Sequence, residues 1–259
     1  MTAWLRRHIP TFAVFVTVLA FWEVAVRVFG ISQFLLPRPT AIAIALSEHA
    51  EELATVGRNT LVEAIGGFAI GGSAALIVAF ATARWVAASR LLLPFAITAN
   101  SVPIIAFAPI MNNWFGILNP VSKMMVVAVL VFFPIMINTL RGLTLVDPAS
   151  LELMRSYATS ELDVFRTVRI PNALPYIFTA VKVSATLSLI GAIVAEYFGG
   201  AQAVLGQFII TEAAFFRFAN AWAAIVVAST ISLAFFLIIL AIEWVALPWH
   251  SSVRASREA

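Results

Sequence analysis

Residues 145–175 read LVDPASLELMRSYATSELDVFRTVRIPNALP. The stretch gathers Asp147, Glu152, Arg155, Glu161, Asp163, Arg166 and Arg169 in a chain that is only 11% charged, so it cannot form a membrane span and must stand in water. Its punctuation is that of two short helices. Asp147 is placed to cap the first, with Pro148 at its opening position, and Ser160 is placed to cap the second, with Asp163 three residues on. Leu151, Met154 and Tyr157 share one face of the first helix, and Leu162, Phe165 and Arg169 follow the same spacing in the second. A hinge at Ala158 and Thr159 separates the two, and Pro171 is expected to end the pair.

Everything around this stretch is apolar. With 62% hydrophobic residues over 259 positions and a mean hydropathy of +0.99, the chain is too evenly apolar for a soluble domain and reads as an all-α integral membrane protein. We expect one transmembrane domain over residues 1–259, with 145–175 as its water-exposed loop. The absence of cysteine removes disulfides and Cys-based metal sites, and His8, His49 and His250 are too scattered for a His cluster, so neither metal nor cofactor is expected. The net charge of +3 and pI of about 9.8 do not point to nucleic acid, because the basic residues are spread along membrane-flanking segments instead of forming one patch.

At about 20 residues per span, the apolar segments centre on 9–29, 61–82, 91–111, 121–140, 174–197 and 221–247, giving six expected helices. The first follows Arg6 and Arg7 but is long enough to span and lacks a small-residue cleavage site, so it reads as a retained helix and not a cleaved signal. Between the first two, Pro37 and Pro39 impose an extended approach to a surface helix. If the N-terminus is cytoplasmic, that side collects Arg6, Arg7, Arg84, Arg90, Arg141, Arg155, Arg166, Arg169, Lys182, Arg254 and Arg257, eleven of the sixteen basic residues. Arg27, Arg38, Arg58, Lys123 and Arg217 fall opposite. The asymmetry predicts that both termini and the 145–175 stretch are cytoplasmic.

The third span is expected to be broken, since Pro94, Pro103 and Pro109 interrupt NSVPIIAFAPIMNNWFG. Asn100 and Ser101 are polar at membrane depth there. They read either as the lining of a pathway, together with Pro103, or as groups bonding to neighbouring helices. Glu196, beside Gly199 and Gly200, reads either as a pathway residue or as a helix end reaching interfacial water. Glu23 and Arg27 are four apart and can pair on one helix face. Gly67 and Gly71 have the small-xxx-small spacing that permits close helix contact.

The 145–175 stretch resembles the EAA loop of membrane subunits of bacterial ATP-binding-cassette importers. In that loop an acidic residue opens the motif, a small turn follows, and a Leu/Ile-Pro pair closes it about twenty residues on; here Glu152 matches the opening and Ile170-Pro171 the close. Ala158 stands where the family usually has glycine and Met154 where it usually has alanine. FLLPRPTAI, NNWFGILNPVSK, FFPIMINTLRGL and AIVAEYFGGAQAVLGQFI extend the likeness to the nitrate/sulfonate/taurine-type permease group. NSVPIIAFAPIMNNWFG and RIPNALPYIFTAVKVSATLSLIGAIVAEYFGG look most like permeases for pyrimidine thiamine precursors or riboflavin-like heterocycles.

The resemblance implies a type I importer (MetI-like) permease fold in the bacterial inner membrane, with a coupling helix that enters a cleft on a cytoplasmic ATPase. Carried onto this sequence, the coupling positions are Glu152, Arg155, Tyr157, Ala158, Thr159 and Ser160, with Pro171 at the close. It further implies a second copy of the chain as homodimer partner, membrane lipid around it, and an extracytoplasmic binding protein delivering a small solute. Alternatives for the cargo are a sulfonate, taurine or nitrate-like anion. The chain has no G-x-x-x-x-G-K-[ST] sequence to hold ATP phosphates, so hydrolysis is expected in a separate subunit and no catalytic residue in this one. An ion-coupled secondary transporter would favour paired intramembrane carboxylates or broken helices repeated in two halves, and an intramembrane enzyme a nucleophile and base at matching spacing. The sequence displays neither pattern.

Overall fold

The structure, a computed structural model, describes residues 2–83, 85–201 and 203–248. Arg84, His250, Arg254 and Arg257 lie outside the described residues. The chain is all-helical, with no strand among the described residues. Helix α1 (Thr2–Val28) is followed by the short α2 (Pro39–Glu48) and by α3 (Ala50–Ala83). Arg38, extended at φ −73° and ψ 144°, delivers the chain to α2 as the flanking prolines require, and Ile42 and Ala45 are that helix's buried side.

Among the described residues, four helices are long and apolar enough to cross a membrane: α3, α6 (Pro120–Thr144), the continuous helix 161–197, and α11 (Phe218–Ala246). Each contains one expected span. Asn119 opens α6, its side chain accepting the Val121 N–H at 3.0 Å with Pro120 in the first turn, where a missing N–H is harmless.

The expected third span is not one helix. Helix α4 (Val86–Ala99) and α5 (Ala108–Phe115) are 14 and 8 residues long, and neither reaches the roughly 20 residues needed to cross. The break falls at 100–107. Ser101 and Val102 donate to the carbonyls of Thr98 and Ala99, a tightening of the last turn, and Pro103 cannot continue the ladder. Pro109 opens α5. Pro94 does not interrupt, contrary to expectation: it lies inside α4, which accommodates the loss of one backbone bond.

The core is the packing of α3 on α6 and of α6 on α9 (Ile170–Tyr197), with α11 lying on α9 and α3. Without a hydrophobic force between helices in lipid, such contacts depend on close van der Waals fit. Gly67 and Gly71 supply it. A Cβ at Gly67 would stand 2.5 Å from the Met124 carbonyl oxygen, and one at Gly71 would overlap the Ala128 backbone, so α3 and α6 touch where the small-residue spacing foretold. Lys182 of α9 and Glu243 of α11 pair at 2.5 Å, both largely buried, tying these helices together across 61 residues of sequence. At the end carrying 145–175, the Phe80 ring meets that of Phe165 edge-on. At the other end α10 (Leu205–Ala214) packs against α11, α9 and α3; it was not among the expected elements.

Candidate coupling site

Helix α7 (Pro148–Ser156) begins where α6 ends. The Asp147 carboxylate accepts the Ala149 N–H at 3.1 Å and Pro148 occupies the first turn, as the sequence indicates. Nothing on α7 is buried: Leu151 and Met154 are half-covered, while Glu152, Leu153 and Arg155 face outward, and Tyr157, at its C-cap, is 72% exposed. The capped helix thus presents charge and an aromatic ring that it does not pack against the rest of the chain.

The turn after α7 resolves the role of Ala158. Tyr157 is the C-cap, and Ala158 follows in the left-handed region at φ 50°. Its N–H donates to the Arg155 carbonyl at 2.9 Å and that of Thr159 to the Met154 carbonyl at 3.3 Å, the two bonds of a Schellman motif. The Thr159 hydroxyl adds a third bond to the Met154 carbonyl at 2.8 Å. The hinge therefore keeps the positive angle that glycine adopts freely, with alanine bearing the strain.

Ser160 caps α8 (Glu161–Val164). Its Oγ accepts the Asp163 N–H at 3.2 Å and donates to the Asp163 carboxylate at 2.6 Å. The expectation that Pro171 ends this second helix is overturned. A five-residue π segment, 165–169, carries α8 into α9 without interruption, and Pro171 lies in the first turn of α9. In the widened turn the Ile170 N–H reaches back to the Phe165 carbonyl, five residues away, which makes room for the proline ring that an ordinary turn would crowd. Leu162 is exposed, and Val164 is the buried residue of α8.

Asn172, which no motif marked, fastens this assembly. Its side-chain amide donates to the carbonyls of Gly142 at 2.7 Å and Leu145 at 3.1 Å, satisfying acceptors at the C-terminal end of α6 from the first turn of α9. Arg169 reaches the Leu143 carbonyl at 3.5 Å. The loop that carries α7 is thus bounded by two long helices bonded to each other at its base.

The residues singled out for a pathway are separated. Asn100, Ser101 and Pro103 are exposed on the turn after α4, and the Ser101 hydroxyl donates to the Ile97 carbonyl at 3.3 Å. Glu196 is 0% exposed near the end of α9, so the reading of it as an interfacial end in water is corrected. It is tied to α10: Oε2 accepts the Gly206 N–H at 2.6 Å, and its carbonyl accepts from the Gln207 side chain at 2.5 Å. Thr60 of α3 accepts the neighbouring Leu205 N–H at 2.9 Å. At the same end Glu212 binds Asn220 at 2.6 Å, and Asn220 lies 3.3 Å from His49. The pairing of Glu23 with Arg27 is present at 2.6 Å, and Glu23 also accepts from the Thr40 N–H and hydroxyl.

Residues 67–246 match the model of the binding-protein-dependent transport system inner membrane component. The chain belongs to that family. It is 28% identical over 237 residues, 91% of its length and 94% of the relative's, to the formylaminopyrimidine transport permease protein ThiX of Halalkalibacterium halodurans. It is 33% identical over 201 residues to the putative aliphatic sulfonates transport permease protein SsuC of Escherichia coli, covering 74% of this chain and 73% of that one. Among solved structures, the crystal structure of an amino acid ABC transporter with histidines aligns over 77% of this chain and 96% of that one, with a TM-score of 0.62 at 16% identity. The fold is that of an ABC-importer permease.

The permease is a membrane-embedded transport subunit, and membership of the family implies a separate ATPase and a binding protein as its partners. In this permease the substitution Ala158→Gly is expected to be neutral or stabilising by up to about 1 kcal/mol, because glycine relieves the left-handed strain while adding unfolded-state entropy. Ala158→Val should cost about 1–2 kcal/mol, since a β-branched residue suits that angle least. Thermal unfolding of the two purified variants checks the order.

Proposed function

We propose that this permease works as a homodimer in a bacterial inner membrane, forming one path for a small solute handed over by an extracytoplasmic binding protein. Two cytoplasmic ATPases dock on the two copies of α7. The supporting observation is the construction of α7: capped at both ends, outward-facing in Glu152, Arg155 and Tyr157, and joined to α6 on one side and through α8 to α9 on the other. A push on such a helix is passed to two spans at once. Thr159, Ser160 and Pro171 hold the turn and the join to α9, and Asn100, Ser101 and Pro103 line part of the route between the two copies. Glu196 fixes the opposite end of the bundle.

We assign the 145–175 stretch and both termini to the cytoplasm, and the 1–259 chain to a single transmembrane domain. His49, at the far end of α3, then faces outward. In this cysteine-free chain, single cysteines at positions 49 and 155 are the test. An impermeant thiol reagent applied to intact cells should label 49 and spare 155; the reverse pattern contradicts the orientation.

For the cargo we propose a pyrimidine-type precursor, supported by the near-complete overlap with the ThiX relative; the higher identity to the sulfonate permease, over a shorter stretch, favours an alkanesulfonate as the second reading. Uptake of labelled formylaminopyrimidine and of labelled ethanesulfonate by cells expressing the whole transporter separates them. Uptake of the sulfonate alone would reject the first reading.

A further inference from the structure

At the end of the bundle opposite α7, three elements are joined by one run of polar side chains. His49 stands at the joint of α2 and α3, Glu212 on α10, and Asn220 in the first turn of α11. The Asn220 side-chain nitrogen lies 2.6 Å from Glu212 Oε2 and 3.3 Å from His49 Nε2. The other Glu212 oxygen accepts from Arg217 at 3.5 Å, so both carboxylate oxygens are engaged. On its far side the His49 ring presents Nδ1 to Glu52 Oε2 at 3.4 Å, and it meets the Phe208 ring edge-on with centroids 6.4 Å apart.

These contacts fix where the hydrogens are. An ionised carboxylate only accepts, so the NH2 of Asn220, and not its oxygen, must face Glu212. That nitrogen has two hydrogens: one goes to Glu212 and the other is directed at His49 Nε2, which must then offer a lone pair. An imidazole with a lone pair on Nε2 and a carboxylate before Nδ1 is neutral and carries its hydrogen on Nδ1. A second proton has one place to go, Nε2, where it meets the Asn220 N–H, donor against donor. Turning the amide over gives no relief, because it sets the Asn220 oxygen against Glu212. The charged groups around the ring are Glu48 of α2, Glu51 and Glu52 of α3, Glu212 of α10, and Arg217 at the N-cap of α11. Glu48, Glu51 and Glu52 line one hollow with His49, on the side away from Asn220, and they draw a charged ring toward themselves.

We propose that His49 is a pH-sensitive latch between the α2–α3 joint and the α10–α11 turn. The neutral ring takes the Asn220 hydrogen and holds the two parts together. The protonated ring leaves Asn220 for Glu52, and the turn that carries Glu212 and Asn220 is freed. Imidazole is the side chain whose ordinary change of charge falls between about pH 5 and 8, so a latch of this kind on the outer face answers to the acidity of the surroundings. That last step rests on the orientation proposed above; the latch itself does not.

The test uses the complete transporter in lipid nanodiscs, which expose both faces to one buffer, so its outcome is independent of orientation and the thiol labelling of positions 49 and 155 tests the latter separately. Nitrogen-15 NMR of permease labelled in histidine, with His8 and His250 replaced so that the signal is that of His49, should show at about pH 8 a protonated Nδ1 and a bare Nε2. The opposite tautomer overturns the proposal without any change at position 49. Hydrogen exchange of the segment 212–221, corrected for the intrinsic effect of pH on exchange, should lose about tenfold in protection between about pH 8 and pH 5, the scale of one hydrogen bond. His49→Gln, which places an acceptor oxygen where Nε2 stands and does not titrate, should keep the protection at both values, and His49→Leu should lack it at both. Protection that is the same at both pH values in the wild type, or that falls equally in His49→Gln, overturns the latch.

Discussion

Glu152→Lys is expected to reduce ATP hydrolysis stimulated by the loaded binding protein by about 10- to 100-fold, while the permease still inserts and folds. The carboxylate is exposed on α7 and, among the described residues, makes no hydrogen bond or ion pair, so its reversal leaves the bundle intact. On an exposed surface without a partner, a substitution of this kind stays within about 0.5 kcal/mol. At an interface, a like-charge juxtaposition costs several kcal/mol, and each 1.4 kcal/mol is about a factor of ten in association. The size of the loss therefore separates a docking helix from a solvated loop. Purification of the tagged variant together with its ATPase, followed by the stimulated activity, reads it directly. Unchanged association and activity would remove Glu152 from the coupling role, and equal silence at Arg155 and Tyr157 would remove the helix.

Gly71→Leu is expected to leave no folded permease. The first added carbon would fall on the Ala128 backbone and 2.7 Å from a Val131 methyl, in a contact between two spans that neither can leave. Overpacking in well-filled cores costs about 1–3 kcal/mol even where side chains can shift, and here the obstruction is main chain. Separation of α3 from α6 would also forfeit the close packing on which helix association in lipid depends. Gly72→Ala is the matched control. Its new methyl would meet only the end of Ile135 at 3.4 Å, ordinary contact, and should change stability by no more than about 0.5 kcal/mol. Gel filtration of the two variants in detergent should give aggregate for the first and a single symmetric peak for the second.

What could be read from the sequence is what short range determines. The caps at Asp147 and Ser160, the opening proline Pro148 of α7, and the glycine spacing on α3 each involve residues within four positions of one another, and each is present. Pro171 misled because a proline seen in isolation reads as a stop. The π segment before it spreads the turn, and the helix runs on for 26 residues beyond it, from Pro171 to Tyr197. The break in the third apolar segment was legible from Pro103 and Pro109, and only Pro94, which lies inside α4, was misread.

The enclosed polar groups were illegible for a different reason. Glu63, Lys123, Glu196 and Gly206 are drawn from four helices, and no local pattern joins them. Each of the three ionisable residues alone looks like a charge near the end of a span, which interfacial water would accommodate. Lys182 and Glu243 are the same case at the other end, a lysine assigned to cytoplasmic flank and a lone acid that prove to be one buried pair. In a membrane protein the cost of an unpaired charge makes such pairing the default, so every ionisable residue inside a predicted span calls for a search for its partner on another helix.

In the proposed function, α7 is the surface through which the permease meets its ATPase. The direct measurement is photo-cross-linking from that surface. A benzophenone maleimide is attached to a single cysteine at position 157, in the otherwise cysteine-free chain, within the purified complex, with a cysteine at position 114 on α5 as the comparison site. Illumination should join position 157 to the ATPase subunit in a yield that changes on addition of ATP, and should join position 114 to no ATPase. Adducts from 157 to lipid alone, or ATPase adducts from 114 in their place, would contradict the coupling assignment and the orientation built on it.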